Sequence, residues 1–593
     1  MSFLNWYKPY AGQNDYFRRV HKTIYYMKKA TFLSLLMTFV ATGVASADEV
    51  EFNWNANQGE SKMIWVSITA GKSITVNYGD GSEAKSYKGT GAGIANLQTL
   101  DHTYADAGNY KVTIKSVEAD ASITDIDSYM TGITSFKATS LPELSYLSLS
   151  ESPVTVCDLK SCDKLQEVYL MGTTLTDLDL SGKKCLQKIY LQTEDPVNRK
   201  GQLKNVSFKN CEALTEVIAY NNVLENFDLS GCVKLRSFAC ENNTLKSLDL
   251  SGLASLEDAR CNNNELETLK LDGCSSLRQL WAYNNSLKSL DASGIATLFR
   301  MEVYNNALET LNVKDCSGMK ILLANKNKIK NLDITGCDQL NEADLSDNAL
   351  TALDATVCGE LVDLRLYNNQ IENLKVAGMS KLAILHFHAN KIKEIDLSGL
   401  TSIESIDANS NQLEDFDVTG MTNLYELRLY GNKIPLSSLY KASKIVSIPV
   451  NCQMGEQILV PVSVKAGEEI DLTSESVFEE KPTEFVVTKG ENPAVASDYE
   501  IADGKLTFKT EGEYDVKMTN EAIQSFFEKP AVVTAHYTVT RSSGIDDINV
   551  AEREVVSIYS IDGATVSSKS VDALPHGIYI VRYTDGTTAK ICR

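Results

Sequence analysis

Two of the chain's six histidines, His386 and His388, stand two residues apart in a stretch that reads as a strand, so both project to one side. With Asp407, 21 residues after His386, they offer the imidazole and carboxylate groups that zinc takes. No further ligand stands at a suitable spacing, so no metal site is expected. His102 and Asp80 could serve proton transfer. The column Asp228, Asp249, Asp291, Asp333, Asp354, Asp396 and Asp417 could gather calcium, though acceptance of backbone N–H groups within each turn explains it better. Thirteen cysteines include Cys211, Cys232, Cys274, Cys316, Cys337 and Cys358 at one recurring position, and Cys240 and Cys261 at another that points inward. These spacings are not those of metal ligands. Most such thiols would be buried as small apolar groups, and disulfides between neighbours stay open as an alternative. With no nucleophile elbow, phosphate loop or zinc-hydrolase motif, no enzyme and no cofactor are expected.

The residues left to do chemistry are ones that bind. One recurring position holds Tyr169, Tyr190, Arg260, Trp281, Glu302, Arg365, His386, Asp407 and Arg428. A second holds Tyr220, Glu241, Asn262, Tyr283, Tyr304, Tyr367, His388, Asn409 and Tyr430. Tyrosine, tryptophan and arginine dominate the energetics of interfaces. Trp281, Tyr283, Glu302 and Tyr304 should form one patch, and Arg365, Tyr367, His386 and His388 another. The plainer reading is that Tyr and Trp simply suit strands.

Those positions are set by a period. Leu203, Leu224, Leu245, Leu266, Leu287, Leu308, Ile329, Leu350, Ile371, Ile392, Leu413 and Ile434 follow at 21-residue steps, and Ile133, Val154 and Leu175 keep the same step upstream. The single break, 28 residues from Leu175 to Leu203, marks an insertion at residues 192–201. Strict repetition at this length means stacked supersecondary units that bury their apolar edges against one another. Asparagine recurs at Asn222, Asn243, Asn264, Asn285, Asn306, Asn327, Asn348, Asn369, Asn390, Asn411 and Asn432. A column of inward amides can satisfy itself on neighbouring backbone. The following column alternates in sign (Glu225, Lys246, Glu267, Lys288, Glu309, Lys330), as cross-strand neighbours should, and reads as a solvated ladder.

The unit from Leu277 to Leu287 spells LxxLxLxxNxL, with Ala282 in the third aliphatic place, and resembles the leucine-rich repeat, specifically the bacterial 21-residue class. The resemblance implies a mainly β solenoid whose parallel sheet lines a concave face, with an extended outer side.

Flanking segments read as small β domains. Residues 48–122 contain ThrValAsnTyrGlyAspGlySer (from Thr75) and HisThrTyrAlaAspAlaGlyAsnTyrLysValThrIle (from His102) and resemble a polycystic-kidney-disease-type β-sandwich, with Tyr78 where Trp or Phe is usual; the resemblance implies that His102 and Asp80 hold turns. The solenoid is expected over 123–440, with a cap after Ile434. Residues 441–541 alternate as a second sandwich spacer. Residues 542–593, through Tyr559, Gly563, Leu574, Pro575, Gly577, Tyr579 and Lys590, resemble the C-terminal sorting domain of the type IX secretion system of Bacteroidota, which implies that machinery as a partner. Residues 27–47 carry a basic start, an apolar run and Ala45-Ser46-Ala47, the pattern of a secretory signal peptide. Residues 1–26 precede it, as an upstream start codon or a long leader would leave them. A net charge of -21 speaks against nucleic acid and anionic lipid as partners. The expectation is a secreted or outer-membrane surface protein without a transmembrane segment in its mature chain. Its concave face would bind a host or neighbouring-cell protein, as internalin-like adhesins do; a polysaccharide ligand or a non-binding spacer are the alternatives.

Overall fold

The computed structural model describes residues 47–194, 201–446, 451–525, 529–541, 555–568, 570–584 and 586–592. The leader, almost all of the signal segment and the core of the insertion after Glu194 lie outside those residues. The chain divides into two compact units, one built on residues 1–432 and the other mainly on 456–593.

The first unit opens with strands whose alternation buries one face. In Glu49–Ala56, Val50, Phe52, Trp54 and Ala56 are buried. This strand lies between Gly108–Ser116 and Ile133–Ser140, antiparallel to both. A second sheet pairs Ser61–Ile68 with Gln98–Thr103 and Ile123–Asp127. Both sheets run on into the solenoid: Ile133–Ser140 pairs parallel with Val156–Asp158, and Ile123–Asp127 with Tyr146–Ser148. The first apolar coil is therefore covered by a sheet edge that continues its own hydrogen-bond ladder, so the parallel strands begin with no open edge at this end.

From there three-residue strands repeat. Glu167–Tyr169, Lys188–Tyr190, Glu216–Ile218, Ser237–Ala239, Asp258–Arg260, Gln279–Trp281 and Arg300–Glu302 pair in parallel, each residue opposite its equivalent in the next coil. The run continues through Glu426–Arg428 to Cys452–Gln453. Across the insertion Ile189 still faces Val217, so the seven extra residues leave the register intact. The outer side is extended only in places, as in Ser247–Asp249 with Thr268–Lys270 and Ser289–Asp291 with Thr310–Asn312. Leu277, Leu280, Ala282, Leu287, Leu290 and Ala292 of one coil are all essentially buried, each large one contributing about 2 kcal/mol.

The asparagine column does what its chemistry requires. Asn264 Nδ2 donates to the carbonyls of Cys240 (3.0 Å) and Cys261 (3.1 Å), while its Oδ1 accepts the Leu245 N–H at 3.1 Å. The pattern holds at Asn243 and at Asn285. Beside it runs a second amide ladder on residues in left-handed backbone. Asn242, Asn263, Asn284 and Asn305 have φ between 54° and 60°, and each Nδ2 donates to the Oδ1 of the residue 21 earlier at 2.6–2.9 Å. Asn tolerates this conformation better than most residues. Lys326 and Ala389 occupy the same position at φ 55°.

The cysteine column is structural. The Cys232, Cys274, Cys316 and Cys337 thiols donate to backbone carbonyls of the preceding coil at 3.1–3.2 Å, and the described cysteines are all free. Where Lys183 replaces cysteine, its buried Nζ donates to the Lys160 carbonyl at 2.8 Å. The turn aspartates accept backbone N–H bonds two residues on: Ser251 to Asp249 at 2.9 Å, Thr335 to Asp333 at 2.9 Å and Ser398 to Asp396 at 2.9 Å. In the charge ladder Lys288 lies 3.5 Å from Glu267.

In the second unit, Gly512–Gln524 pairs antiparallel with Pro530–Thr540 and with Glu484–Lys489, over a core that includes Phe508, Tyr514 and Tyr537. Val555–Ser560, Thr565–Val566, Ile578–Tyr583 and Thr588–Cys592 make a four-stranded sheet around Ile558, Tyr579, Val581 and Tyr583.

Candidate functional site

On each coil the strand aliphatic points into the core, so its neighbours point outward over the concave face. Neighbouring coils place equivalent side chains one strand spacing apart, about 4.8 Å. That distance suits ring stacking, and three pairs of rings in equivalent positions stack. Tyr283 and Tyr304 lie 4.6 Å apart with planes 5° from parallel; Tyr367 and His388 lie 4.7 Å apart at 3°; Tyr169 and Tyr190 lie 4.8 Å apart at 8°. The Arg260 guanidinium sits 5.0 Å from the centroid of the Trp281 ring. The rings therefore stand on edge to the sheet, with their faces turned to one another and their rims toward solvent.

The charged residues of the same face are largely committed within the chain. Arg365 makes a two-pronged contact with Asp363, at 2.7 and 3.1 Å. Arg428 bridges Asp407 (3.0 Å) and Glu426 (2.5 Å). Glu302 accepts from Arg300 at 2.6 Å and is only 8% exposed, which takes it out of the patch that Tyr283, Tyr304 and Trp281 share. Asp407, Asn409 and Asn262 are buried as well, whereas Tyr430 is 38% exposed. Tyr220 donates its hydroxyl to Glu194 at 3.0 Å.

His386 and His388 do not converge. His386 Nε2 contacts the Ser405 hydroxyl at 3.0 Å, and His388 Nδ1 lies 3.4 Å from Asp407. Burial pulls both imidazoles below their ordinary range, so they are neutral at pH 7. The Ser405 proton goes to Glu426 at 2.8 Å. His386 then acts as donor to that hydroxyl, the reverse of what a nucleophilic serine needs. Among the described residues no three potential ligands gather as a metal site would require. In the first domain His102 bonds Asp80 at 2.6 Å and stacks on Tyr78, while Asp80 also accepts the Ser82 N–H and hydroxyl. The group closes a turn.

The residue before each strand aliphatic also faces outward, and it is not among the candidate residues that the sequence marks. Asp363, Glu426, Arg300, Glu167 and Glu216 occupy that third column, and they decide which arginines and tyrosines are tied down. Their signal was present: charge two residues from opposite charge on one strand, as in Asp363-Leu364-Arg365, lies on one face.

Inward asparagines and parallel three-residue strands held in one register from coil to coil together define a leucine-rich-repeat solenoid. Among solved structures, the functional domain of InlJ from Listeria monocytogenes, described as including a cysteine ladder, is similar to this chain at 21% identity and a TM-score of 0.40, over 67% of this chain and 91% of that one. YopM, a leucine-rich effector protein from Yersinia pestis, is similar at 24% identity and a TM-score of 0.37, over 52% of this chain and 79% of that one. An internalin-like protein from Listeria monocytogenes is similar at 14% identity and a TM-score of 0.26, over 50% and 87%. At these identities the likeness concerns the fold. No protein-family profile matches the chain, and no curated protein is similar to it above chance.

Proposed function

We propose that the chain is a secreted or cell-surface binding protein, an adhesin of the internalin-like kind. Its concave solenoid face would recognise a protein of a host or neighbouring cell. The observation that carries this reading is the edge-on aromatic wall at Trp281, Tyr283 and Tyr304, which sets apolar rims and hydroxyls beside the arginine at Arg260. Rims and hydroxyls of this kind suit the mixed apolar and hydrogen-bonding surface of a protein partner. A glycan stacking its rings would need open aromatic faces, and here Tyr283 and Tyr304 cover one face of each other while Arg260 covers one face of Trp281. Polysaccharide is accordingly the second reading, and a purely structural spacer the third.

The N-terminal sandwich fits a role as a polycystic-kidney-disease-type stalk module that also covers the first coil. The C-terminal sheet around Tyr559 and Tyr579 fits a type IX sorting domain of a Bacteroidota protein, read by the secretion machinery after residues 27–47 have directed export. No helix of the described residues is long and apolar enough to cross a membrane.

A screen of the full chain against extracellular-matrix proteins and a glycan array, beside the Trp281→Ala, Tyr283→Ala, Tyr304→Ala variant, tests the ligand class. A protein ligand lost by the variant supports the adhesin. A glycan lost in the same way promotes the second reading, and indifference of a folded variant favours the spacer. Sorting is tested separately: an epitope in the solenoid should reach the cell surface and fail to do so when residues 542–593 are deleted. Periplasmic retention of the intact protein would refute it.

A further inference from the structure

We propose that Glu241 is the floor of a subsite on the concave face that receives a basic side chain, lysine or arginine, of the protein partner. This rests on the binding role argued above and names the chemistry at one point of it. Glu241 follows the strand Ser237–Ala239 and shares a column with Tyr220, one coil earlier, and Tyr283, two coils later. Its Oε2 is buried and has no hydrogen-bond partner among the described residues. A buried carboxylate oxygen left in that state is costly, and on later coils of the same face acids are paired: Arg300 meets Glu302, Arg365 meets Asp363, and Arg428 meets Asp407 and Glu426. Arg260, whose charge reaches the Glu241 carboxylate, lies over the Trp281 ring and makes no ion pair among the described residues.

The surroundings suit a cation. Between Tyr220 and Tyr283 the column dips at Glu241 and Asn262, the latter 6% exposed. Three strand spacings separate the two tyrosines, which leaves a notch roughly 10 Å across once ring thickness is allowed for. Glu241 lies within electrostatic reach of both tyrosines. An ammonium or guanidinium entering there would meet the partly exposed Glu241 side chain, neutralise the carboxylate and lie between aromatic walls that favour cations. An acidic partner would meet Glu241 as a like charge. The chain's net charge of -21 draws basic partners into encounter.

The test uses the full chain in 0.15 M salt with the blocked pentapeptide Gly-Gly-Lys-Gly-Gly and its norleucine counterpart, binding being followed by NMR titration. Wild type should prefer the lysine peptide at least tenfold, and Glu241→Gln should abolish that preference. Glu225→Gln, which removes an exposed charge from the outward ladder, should keep it within twofold. Glu241→Gln should melt at or above the wild-type temperature, which separates loss of recognition from loss of fold. Equal binding of the two peptides up to 10 mM, or a preference retained by Glu241→Gln, overturns the subsite. A macromolecular ligand lost by the triple aromatic variant yet bound fully by Glu241→Gln would refute the subsite and leave the binding role standing. A ligand that neither variant affects would refute both.

Discussion

Tyr283 and Tyr304 stand 21 residues apart in sequence and 4.6 Å apart in space, their rings 5° from parallel. The separation is the spacing of neighbouring parallel strands, so the repeat period itself converts a column of tyrosines into a stacked wall. The same rule acts on amides, thiols and charges along the solenoid, and each yields a measurable consequence.

The inward amides carry the coil. Asn264→Ala strips the Leu245 N–H of its partner and takes one of two amide donors from each of the Cys240 and Cys261 carbonyls, which keep Asn243 and Asn285. It should cost about 3 kcal/mol in chemical denaturation. Asn264→Asp should cost no less, because it turns a donor into a carboxylate oxygen facing two carbonyls. A loss below about 0.5 kcal/mol for either would contradict the ladder.

The outer amide ladder is broken at Lys326 and Ala389, both in left-handed backbone at φ 55°. Lys326→Asn and Ala389→Asn supply a residue tolerant of that conformation and able to bond Asn305 and Asn368. Each should stabilise by about 0.5–1 kcal/mol. Thermal melts decide it, and a lowered melting temperature would show that the ladder does not extend through these coils.

Burial pushes the Asp48 carboxyl up to about 6, against the opposing bond from the Ile123 N–H. A carboxyl raised on folding stabilises the fold below its unfolded value, near 3.8, and that stabilisation is lost as pH rises through about 6. Asp48→Asn keeps an acceptor for Ile123 and removes the titration. It should melt above wild type at pH 8 and lose that advantage by pH 4. Glu241, also raised by burial, should give the same sign in Glu241→Gln. A gap that does not change between pH 4 and 8 would count against either assignment.

Burial also pushes the Cys274 and Cys337 thiols up to about 11 and those of Cys232, Cys316 and Cys358 up to about 12. Cys185 is exposed. Iodoacetamide at pH 8 should modify Cys185 well before any column cysteine in the native protein, as read by peptide mapping, because the reactive species is the accessible thiolate. Reducing agent should leave the melting temperature unchanged. A fall on reduction would mean that column thiols are paired.

What the sequence disclosed follows from how local each requirement is. Asn243 could be read as an inward amide because a buried amide must be satisfied and its partners recur with the period. Asn242 could not: it resembles any turn asparagine until its φ of 60° and its bond to Asn221 are seen. Ile133 keeps the 21-residue step, yet Ile133–Ser140 runs on as an eight-residue strand, and it joins the sandwich by pairing with Glu49–Ala56 as well as with the first outer strand. The aromatic and arginine columns were legible as outward positions. Which arginines stay unpaired was not, because partners two residues away on a strand compete with partners 21 residues away, and only distance decides. Arg365 goes to Asp363 on its own strand, whereas Arg428 reaches both Glu426 and Asp407.

The most direct test of concave-face recognition is the affinity of the full chain for the protein ligand found in the screen, measured beside the folded Trp281→Ala, Tyr283→Ala, Tyr304→Ala variant by biolayer interferometry. Hot-spot truncation of about 2 kcal/mol or more predicts at least a thirtyfold loss. Binding retained within twofold by a variant whose melting curve matches wild type would contradict the account.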